Sequence, residues 1–309
     1  MRFLFVGAGG VGGYFGARLI AAGKDVTFAA RDNRRAQLQR DGIVVRSSYG
    51  DLSLPARTVS VDQIEGGYDA IFISVKSYHL ADAISGLTPD NVGAGQVIPL
   101  LNGIRHLDLL DSKFGPDRVS GGICRISATI NPLGEVLHLN KDHELMIGAR
   151  SAGAQDFVDC VHREMAGANF NAVLSGNIMQ EFWNKFVLLS PLAASTCLMR
   201  ASLGAINRSE GGNQVIKELM TEAAGVAAAS GYPVPKTDFD GVFRSFSDTG
   251  TALKASMLRD IENGSPTEGN HIIGDMVRRG EDLGVAMPVF RIAWVNLQAY
   301  ELERASRIS

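Results

Sequence analysis

Cysteine is scarce in this 309-residue chain: there are three, Cys124, Cys160 and Cys197. They are odd in number, far apart and without a Cys or His partner at ligand spacing, which argues against a disulfide framework and against a thiolate metal site. The pattern predicts a reduced, cytoplasmic setting. The six histidines repeat no ligand spacing either, so no metal is expected. Charge of one sign is also missing. Thirty Lys and Arg against 33 Asp and Glu leave a net charge of -3, too little for the basic field that nucleic acid or an anionic membrane demands. A small polar ligand suits such a surface better. No apolar run reaches the length of a membrane span. The opening residues lack the basic region, long apolar stretch and cleavage site of a signal peptide, so none is expected. Internal repeats and low-complexity tracts are absent as well.

The length predicts two compact units, each with its own core. In the first half, short apolar runs alternate with helical stretches: "RFLFV", a helix over about 11–22, "DVTFAA", a helix over "RRAQLQR", then "YDAIFISV" and "QVIPLL". Near-continuous apolar strands separated by helices predict a doubly wound parallel sheet. "EVLHL", "ELMIGA" and "NFNAVL" read as further strands, the first two as an antiparallel hairpin turning at Lys141 and Asp142. After about Gly176 the periodicity is helical throughout, with Gly231 and Gly284 placed as C-terminal stops and Pro191 as a kink inside a helix. The expected organisation is an N-terminal Rossmann-type dinucleotide-binding domain over 1–176 and an all-α domain over 177–309.

Glycine is plentiful in one place, "FLFVGAGGVGG". Gly7, Gly9 and Gly12 give the spacing G-x-G-x-x-G, with Gly10 inside it, directly after a strand and at the start of a helix. In a dinucleotide site the first glycine makes the tight turn, the second admits the pyrophosphate and the third lets helix and strand pack closely. The anion then lies on the helix N-terminus.

The end of the second strand selects the cofactor. "FAARDNRR" offers Arg31 there, which favours the 2'-phosphate of NADPH, with Arg34 and Arg35 as candidate additions to the clamp. Asp32 competes as a ribose ligand but fits a helix N-cap. Lys76 in "SVKSYHL" and Asn102 in "LLNGI" follow later strands, so both are candidates for the nicotinamide or the substrate.

Together, "GAGGVGG", "SVKSYHL", "LNGI", "NPLGEVLH", "FWNKF" and "SMLRDIENGSPTEGNHIIG" resemble the ketopantoate reductase family, the NADPH-dependent 2-dehydropantoate 2-reductases, over nearly the whole chain. The resemblance implies substrate reduction with acid supplied from the helical domain, and a place in pantothenate biosynthesis. It makes Lys185 the catalytic lysine, Glu268 the glutamate that works with it, Ser256 a substrate-binding serine and Asn102 a substrate-contacting asparagine. It likewise makes Lys76 the lysine near the nicotinamide and Arg31 the 2'-phosphate ligand. One departure stands out. Where the family pattern runs Lys-x-x-x-Asn-x-x-x-Asn, this chain carries Leu189 and Ala193 after Lys185.

A lysine ammonium stabilises a developing alkoxide and donates its proton, provided its surroundings bring its pKa towards the working pH. An adjacent carboxylate such as Glu268 keeps it protonated. Two alternatives accompany ketopantoate as the substrate of an NADPH-dependent reductase: the same reaction on another branched or apolar 2-oxo acid, and a non-catalytic NADPH-binding regulator. A histidine acid is a further option, and His271, one turn after Glu268, is the best placed. Ser190, Ser195 and Thr196 stand near the aliphatic pair as substitutes for the missing amides. The apolar stripe of the last helix, "FRIAWVNLQAY", fits either a homodimer seam or packing within one chain.

Overall fold

The structure, a computed structural model, describes residues 1–307. Two compact units emerge, Met1–Leu101 with His106–Met179, and Asn102–Arg105 with Gln180–Ser309.

In the first unit, β1 (Arg2–Val6), β2 (Asp25–Ala29), β5 (Arg57–Val59), β6 (Ala70–Ile73) and β7 (Gln96–Pro99) form a parallel sheet in the order β5-β2-β1-β6-β7. Its central strand is apolar on both faces because both are covered, as parallel sheets require. Phe5 is in register with Phe28 and Phe72, its ring 6.0 and 4.8 Å from theirs. All three are fully buried, and each such side chain contributes about 1.5–3 kcal/mol of apolar transfer. The helices of this unit are α1 (Gly10–Ala21), α2 (Asp32–Asp41), the single turns α3 (Leu80–Ala83) and α4 (Pro89–Val92), α5 (Arg105–Phe114) and α6 (Gln155–Met165). Helix α2 begins one residue earlier than a cap at Asp32 requires. Arg31 holds the N-cap position in an extended conformation, and Asp32 pairs with Arg35 at 2.8 Å.

A second sheet runs β10 (Asn171–Leu174), β9 (Val136–Gly148), β3 (Ile43–Arg46), β4 (Leu52–Leu54), with β8 (Gly121–Ile130) on β9. This corrects the expected hairpin at Lys141 and Asp142, because "EVLHL" and "ELMIGA" lie on one strand. The antiparallel partner of both is β8, and the reversal falls at Asn131–Gly134. There the Asn131 side-chain oxygen accepts from the N–H groups of Leu133 and Glu135, and Gly134 has φ +81°. The polar residues mistaken for a turn form a bulge: His138 pairs with Ala128 and His143 with Ile126, so residues 139–142 face only Ser127. Asn140 Oδ1 accepts the Ser127 N–H at 2.8 Å and bridges the gap in the ladder.

The second unit is helical: α7 (Ile178–Met199), α8 (Leu203–Arg208), α9 (Gly212–Ala229), α10 (Lys236–Phe246), α11 (Ser256–Glu262), α12 (Gly269–Asp282) and α13 (Pro288–Ser306). Helix α7 continues through Pro191. Gly231, at φ +87°, ends α9 by donating to the Ala228 carbonyl while Tyr232 donates to Ala227, a glycine stop of the expected kind. The start of α13 is held by Glu222 of α9, whose carboxylate accepts the N–H groups of Val289 and Phe290 at 3.0 Å. Phe290, Ala293 and Leu297 are buried, so packing within the chain accounts for that stripe of α13, while Ile292, Val295 and Leu302 are exposed on its other side. Among the described residues no helix is long and apolar enough to cross a membrane, and no three His, Cys, Asp or Glu side chains gather as a metal site.

Candidate active site

The glycines of the first βα turn have different reasons for being there. Gly7 has φ +103°, and a Cβ on it would come within 2.8 Å of Val75. On Gly10 it would meet the Ala128 carbonyl oxygen at 2.5 Å, and on Gly12 the Gly7 carbonyl oxygen at 2.2 Å and Ser74 Oγ at 2.0 Å. Protein packing alone therefore demands these three. Gly9 differs, since a Cβ there would have only the Ser74 carbonyl oxygen as a neighbour, at 4.0 Å. It is the extended N-cap of α1, with no side-chain cap and no acidic residue in the first turn. An open α-carbon at an uncapped, carboxylate-free helix N-terminus fits an approaching pyrophosphate. Ser74 Oγ, at the end of β6, donates to the Gly7 carbonyl at 2.7 Å and fastens the turn.

The three arginines after β2 go three ways. Arg31 stays outside; its Nη2 donates to His79 Nδ1 at 2.9 Å and lies 3.6 Å from Asp82. Burial, then the Arg31 charge, push the His79 pKa down. Arg35 is spent on Asp32. Arg34 turns inward, where Nε donates to the Ala8 carbonyl at 2.9 Å, and Nη1 to the Gly134 carbonyl at 2.6 Å and to Gln37. Its Nη2 is buried with no hydrogen-bond partner among the described residues, and burial lowers its pKa. A desolvated cation bonded to the glycine loop adds to the fit for an anionic dinucleotide. Lys76 is half-buried at the start of the turn Ser77–His79, beyond β6.

Asn102–Arg105 clusters with the helical unit. Gly103, at φ +79°, faces the His271 ring, which a Cβ would approach to 3.3 Å. A ring N–H of His271 donates to the Asn102 main-chain carbonyl. Glu268 occupies the N-cap of α12 and is 6% exposed; its carbonyl accepts the N–H groups of His271 at 3.0 Å and Ile272 at 2.9 Å. Asp275 is likewise buried and pairs with Arg279 at 2.8 Å. Spaced i, i+3 and i+7, Glu268, His271 and Asp275 line one face of α12. Asp275 escaped the sequence reasoning, although a lone carboxylate inside the apolar run "IIGDMV" was a usable signal.

Lys185 is half-buried on α7, between the buried Trp183 and Phe186. Leu189 and Ala193 follow on its side of the helix, one and two turns on. The neighbouring hydroxyls do not replace the absent amides: Ser190 Oγ donates to the Phe186 carbonyl at 2.7 Å, Ser195 Oγ to Pro191 at 2.7 Å and Thr196 Oγ1 to Leu192 at 2.6 Å. All three residues are fully buried. Ser256 is exposed as the first residue of α11. Thus the glycine loop, Arg31 and Lys76 belong to the first unit, and Asn102, Lys185, Ser256 and Glu268 to the second. Cys197 is no nucleophile, since burial pushes its thiol up to about 12.

A parallel sheet with a glycine loop of this geometry, followed by a helical unit, defines a dinucleotide-binding oxidoreductase of two-domain type. Family models described as "Ketopantoate reductase PanE/ApbA" and "Ketopantoate reductase PanE/ApbA C terminal" match residues 3–152 and 177–301. The chain belongs to the ketopantoate reductase family. It is 34% identical over 304 residues to the "Uncharacterized oxidoreductase YkpB" of Bacillus subtilis (strain 168), covering 98% of this chain and 100% of that protein. It is 28% identical over 294 residues to the 2-dehydropantoate 2-reductase of Archaeoglobus fulgidus, covering 94% of each. Among solved structures, the PanE/ApbA family ketopantoate reductase from Ralstonia eutropha JMP134 superimposes with a TM-score of 0.88 at 26% identity, over 99% of this chain and 100% of that one.

The different roles of the glycines predict different phenotypes. Gly12→Ala is expected to destabilise the fold by about 1–3 kcal/mol, the usual range for overpacking, measured by denaturant titration. Gly9→Ala is expected to keep the parent's stability and lose dinucleotide affinity in a fluorescence titration. Unchanged affinity in Gly9→Ala contradicts the assignment of the loop.

Proposed function

We propose that this protein reduces a 2-oxo acid to the 2-hydroxy acid with NADPH, and that ketopantoate is the family substrate against which it is to be judged. The observation that carries the proposal is the open face of Gly9 at an uncapped helix N-terminus, within a chain of this family. The bound dinucleotide supplies the hydride for the carbonyl carbon. Gly7, Gly9, Gly10 and Gly12 hold it, Arg31 meets its 2'-phosphate and Lys76 borders its nicotinamide end.

The remaining chemistry belongs to the chain. Lys185 stabilises the charge developing on the carbonyl oxygen and hands it a proton. Glu268, withdrawn from water, keeps that ammonium charged and oriented. Asn102 and Ser256 anchor the carboxylate or a hydroxyl of the oxo acid by hydrogen bonds.

A second reading of the substrate is favoured by α7. Leu189 and Ala193 offer no hydrogen bond, and Ser190, Ser195 and Thr196 spend theirs on their own helix. An oxo acid with an apolar side chain suits that face better than one with a hydroxyl, because discrimination for a hydroxyl requires a polar partner.

Three measurements test these assignments. Arg31→Ala is expected to weaken NADPH binding by about 1.5–3 kcal/mol, the range for a hydrogen bond to a charged group, and to leave NADH little changed; equal affinity of the unmodified protein for both cofactors refutes the clamp. Lys185→Ala is expected to lower turnover on the order of a hundredfold or more while NADPH still binds, and near-normal turnover refutes the proposed acid. Catalytic efficiency on 2-oxoisovalerate is expected to equal or exceed that on ketopantoate. A ketopantoate preference above about a thousandfold overturns the apolar face, because loss of a methylene alone accounts for only roughly 10–200-fold.

A further inference from the structure

Glu268 stands at the N-cap of α12, yet its side chain makes no capping hydrogen bond. The residue before it does that work. The N–H of Gly269 donates to Thr267 Oγ1 at 3.3 Å, and Thr267 is itself gripped by α13, since its N–H and its Oγ1 both donate to Glu301 Oε1, at 2.6 and 2.7 Å. A short hydroxyl side chain ordinarily caps a helix from the N-cap position. Here it acts from one residue further back, so the Glu268 carboxylate is not consumed by the helix end.

Glu301 is held in turn. Its Oε2 accepts from Arg304 Nε at 3.0 Å, so both carboxylate oxygens have donors. Leu297, Tyr300, Glu301 and Arg304, spaced i, i+3, i+4 and i+7, lie on one face of α13. That face meets the chain entering α12 at three successive points. The Tyr300 hydroxyl donates to the Ser265 carbonyl at 2.8 Å, Glu301 takes Thr267, and Leu297 packs on the Gly269 α-carbon, where a Cβ would come within 3.0 Å of Cδ1. Thr267 is buried, so removal of Glu301 leaves its two donors without the partner that satisfies them.

We propose that Glu301 is a positioning residue for the reduction: by clamping the N–H and hydroxyl of Thr267 it fixes the main chain from which Glu268 projects, and with it the carboxylate that orients Lys185. The proposal rests on the role given to Glu268 above. A misplacement of about 1 Å lowers the rate of a reaction on the order of a hundredfold. A glutamate side chain with several rotatable bonds reaches that precision only from a fixed main chain. Glu301 exchanges no proton with the oxo acid. It acts only through Thr267 and Glu268, and that dependence separates it from a purely structural contact.

Two arms test it. Amide hydrogen exchange followed by NMR on the full chain reads the clamp itself: the Thr267 amide is expected to be protected in the parent and to exchange about tenfold faster or more in Glu301→Ala, the effect of losing a hydrogen bond to a charged group. Unaltered exchange overturns the clamp whatever the substrate is. In the kinetic arm, Glu301→Ala is expected to lower kcat on the order of tenfold or more, with KM for the oxo acid and the Kd of NADPH within about threefold of the parent. Thr267→Val, which keeps the shape and removes the hydroxyl, is expected to lower kcat in the same direction, and Thr267→Ser to restore it. The decisive comparison is made in the Glu268→Ala background, where Glu301→Ala is expected to lower kcat by less than about twofold, because the group it positions is gone. An equal loss in both backgrounds marks a general structural role and overturns the proposal. Unchanged kcat in Glu301→Ala overturns it too, and should that variant not fold, unchanged kcat in Thr267→Val does so. If Glu268→Ala slows turnover and Glu301→Ala does not, the proposal alone falls; if Glu268→Ala has no effect, the role of Glu268 falls and the proposal with it. Absence of oxo acid reduction by the unmodified protein refutes the reading of function, and the exchange arm still decides the clamp.

Discussion

The closeness of α1 to the strand before it is the constraint on which the first unit depends. At Gly12 the space a methyl group would need is already filled by the Gly7 carbonyl and Ser74 Oγ. That contact brings the helix N-terminus directly over the ends of β1 and β6. It also forces the turn between them to use Gly7 at a positive φ. The same approach leaves a Cβ on Gly9 with only the Ser74 carbonyl oxygen for a neighbour, so one steric requirement creates both a tight fold and an open α-carbon at the helix N-terminus.

Charge is distributed with similar economy. Of the three arginines after β2, Arg31 is exposed beside His79 and Asp82, Arg35 pairs with Asp32, and Arg34 turns inward onto the Ala8 carbonyl. In the helical unit Lys185 is half-buried and Glu268 and Asp275 are buried, which makes each of them electrostatically stronger than a surface group. Glu268 sits at a helix N-terminus, where a carboxylate is favoured. Asp275 is paired with Arg279. The face of α7 beyond Lys185 is aliphatic, and its hydroxyls are turned into the helix backbone.

The parallel sheet and the long helices were legible in the sequence because their signals are extended: four or more apolar residues in a row, or a sustained helical period. Strands β3, β4 and β5, three or four residues each, are too short to carry a period and went unread. The polar residues at 139–142 imitated a turn, since a bulge and a turn use the same residue types. Of the candidate site, the glycine turn and the position of Arg31 just after β2 were visible because the loop is local. The tie between His271 and Asn102 was not, because it joins a helix to a turn far away in the chain. Nor does the run "RDNRR" say which arginine turns inward; that depends on the Ala8 and Gly134 carbonyls that tertiary folding brings beside α2.

The central claim is that a hydride passes from a dinucleotide held on the glycine loop to the carbonyl carbon of a 2-oxo acid. Incubating the protein with NADPH deuterated at the transferable position of the nicotinamide, together with a panel of 2-oxo acids, follows that atom directly. Deuterium at the α-carbon of a newly formed 2-hydroxy acid is the expected result. NADPH that stays unoxidised with every 2-oxo acid of the panel, or a hydroxy acid free of deuterium at that carbon, contradicts the claim.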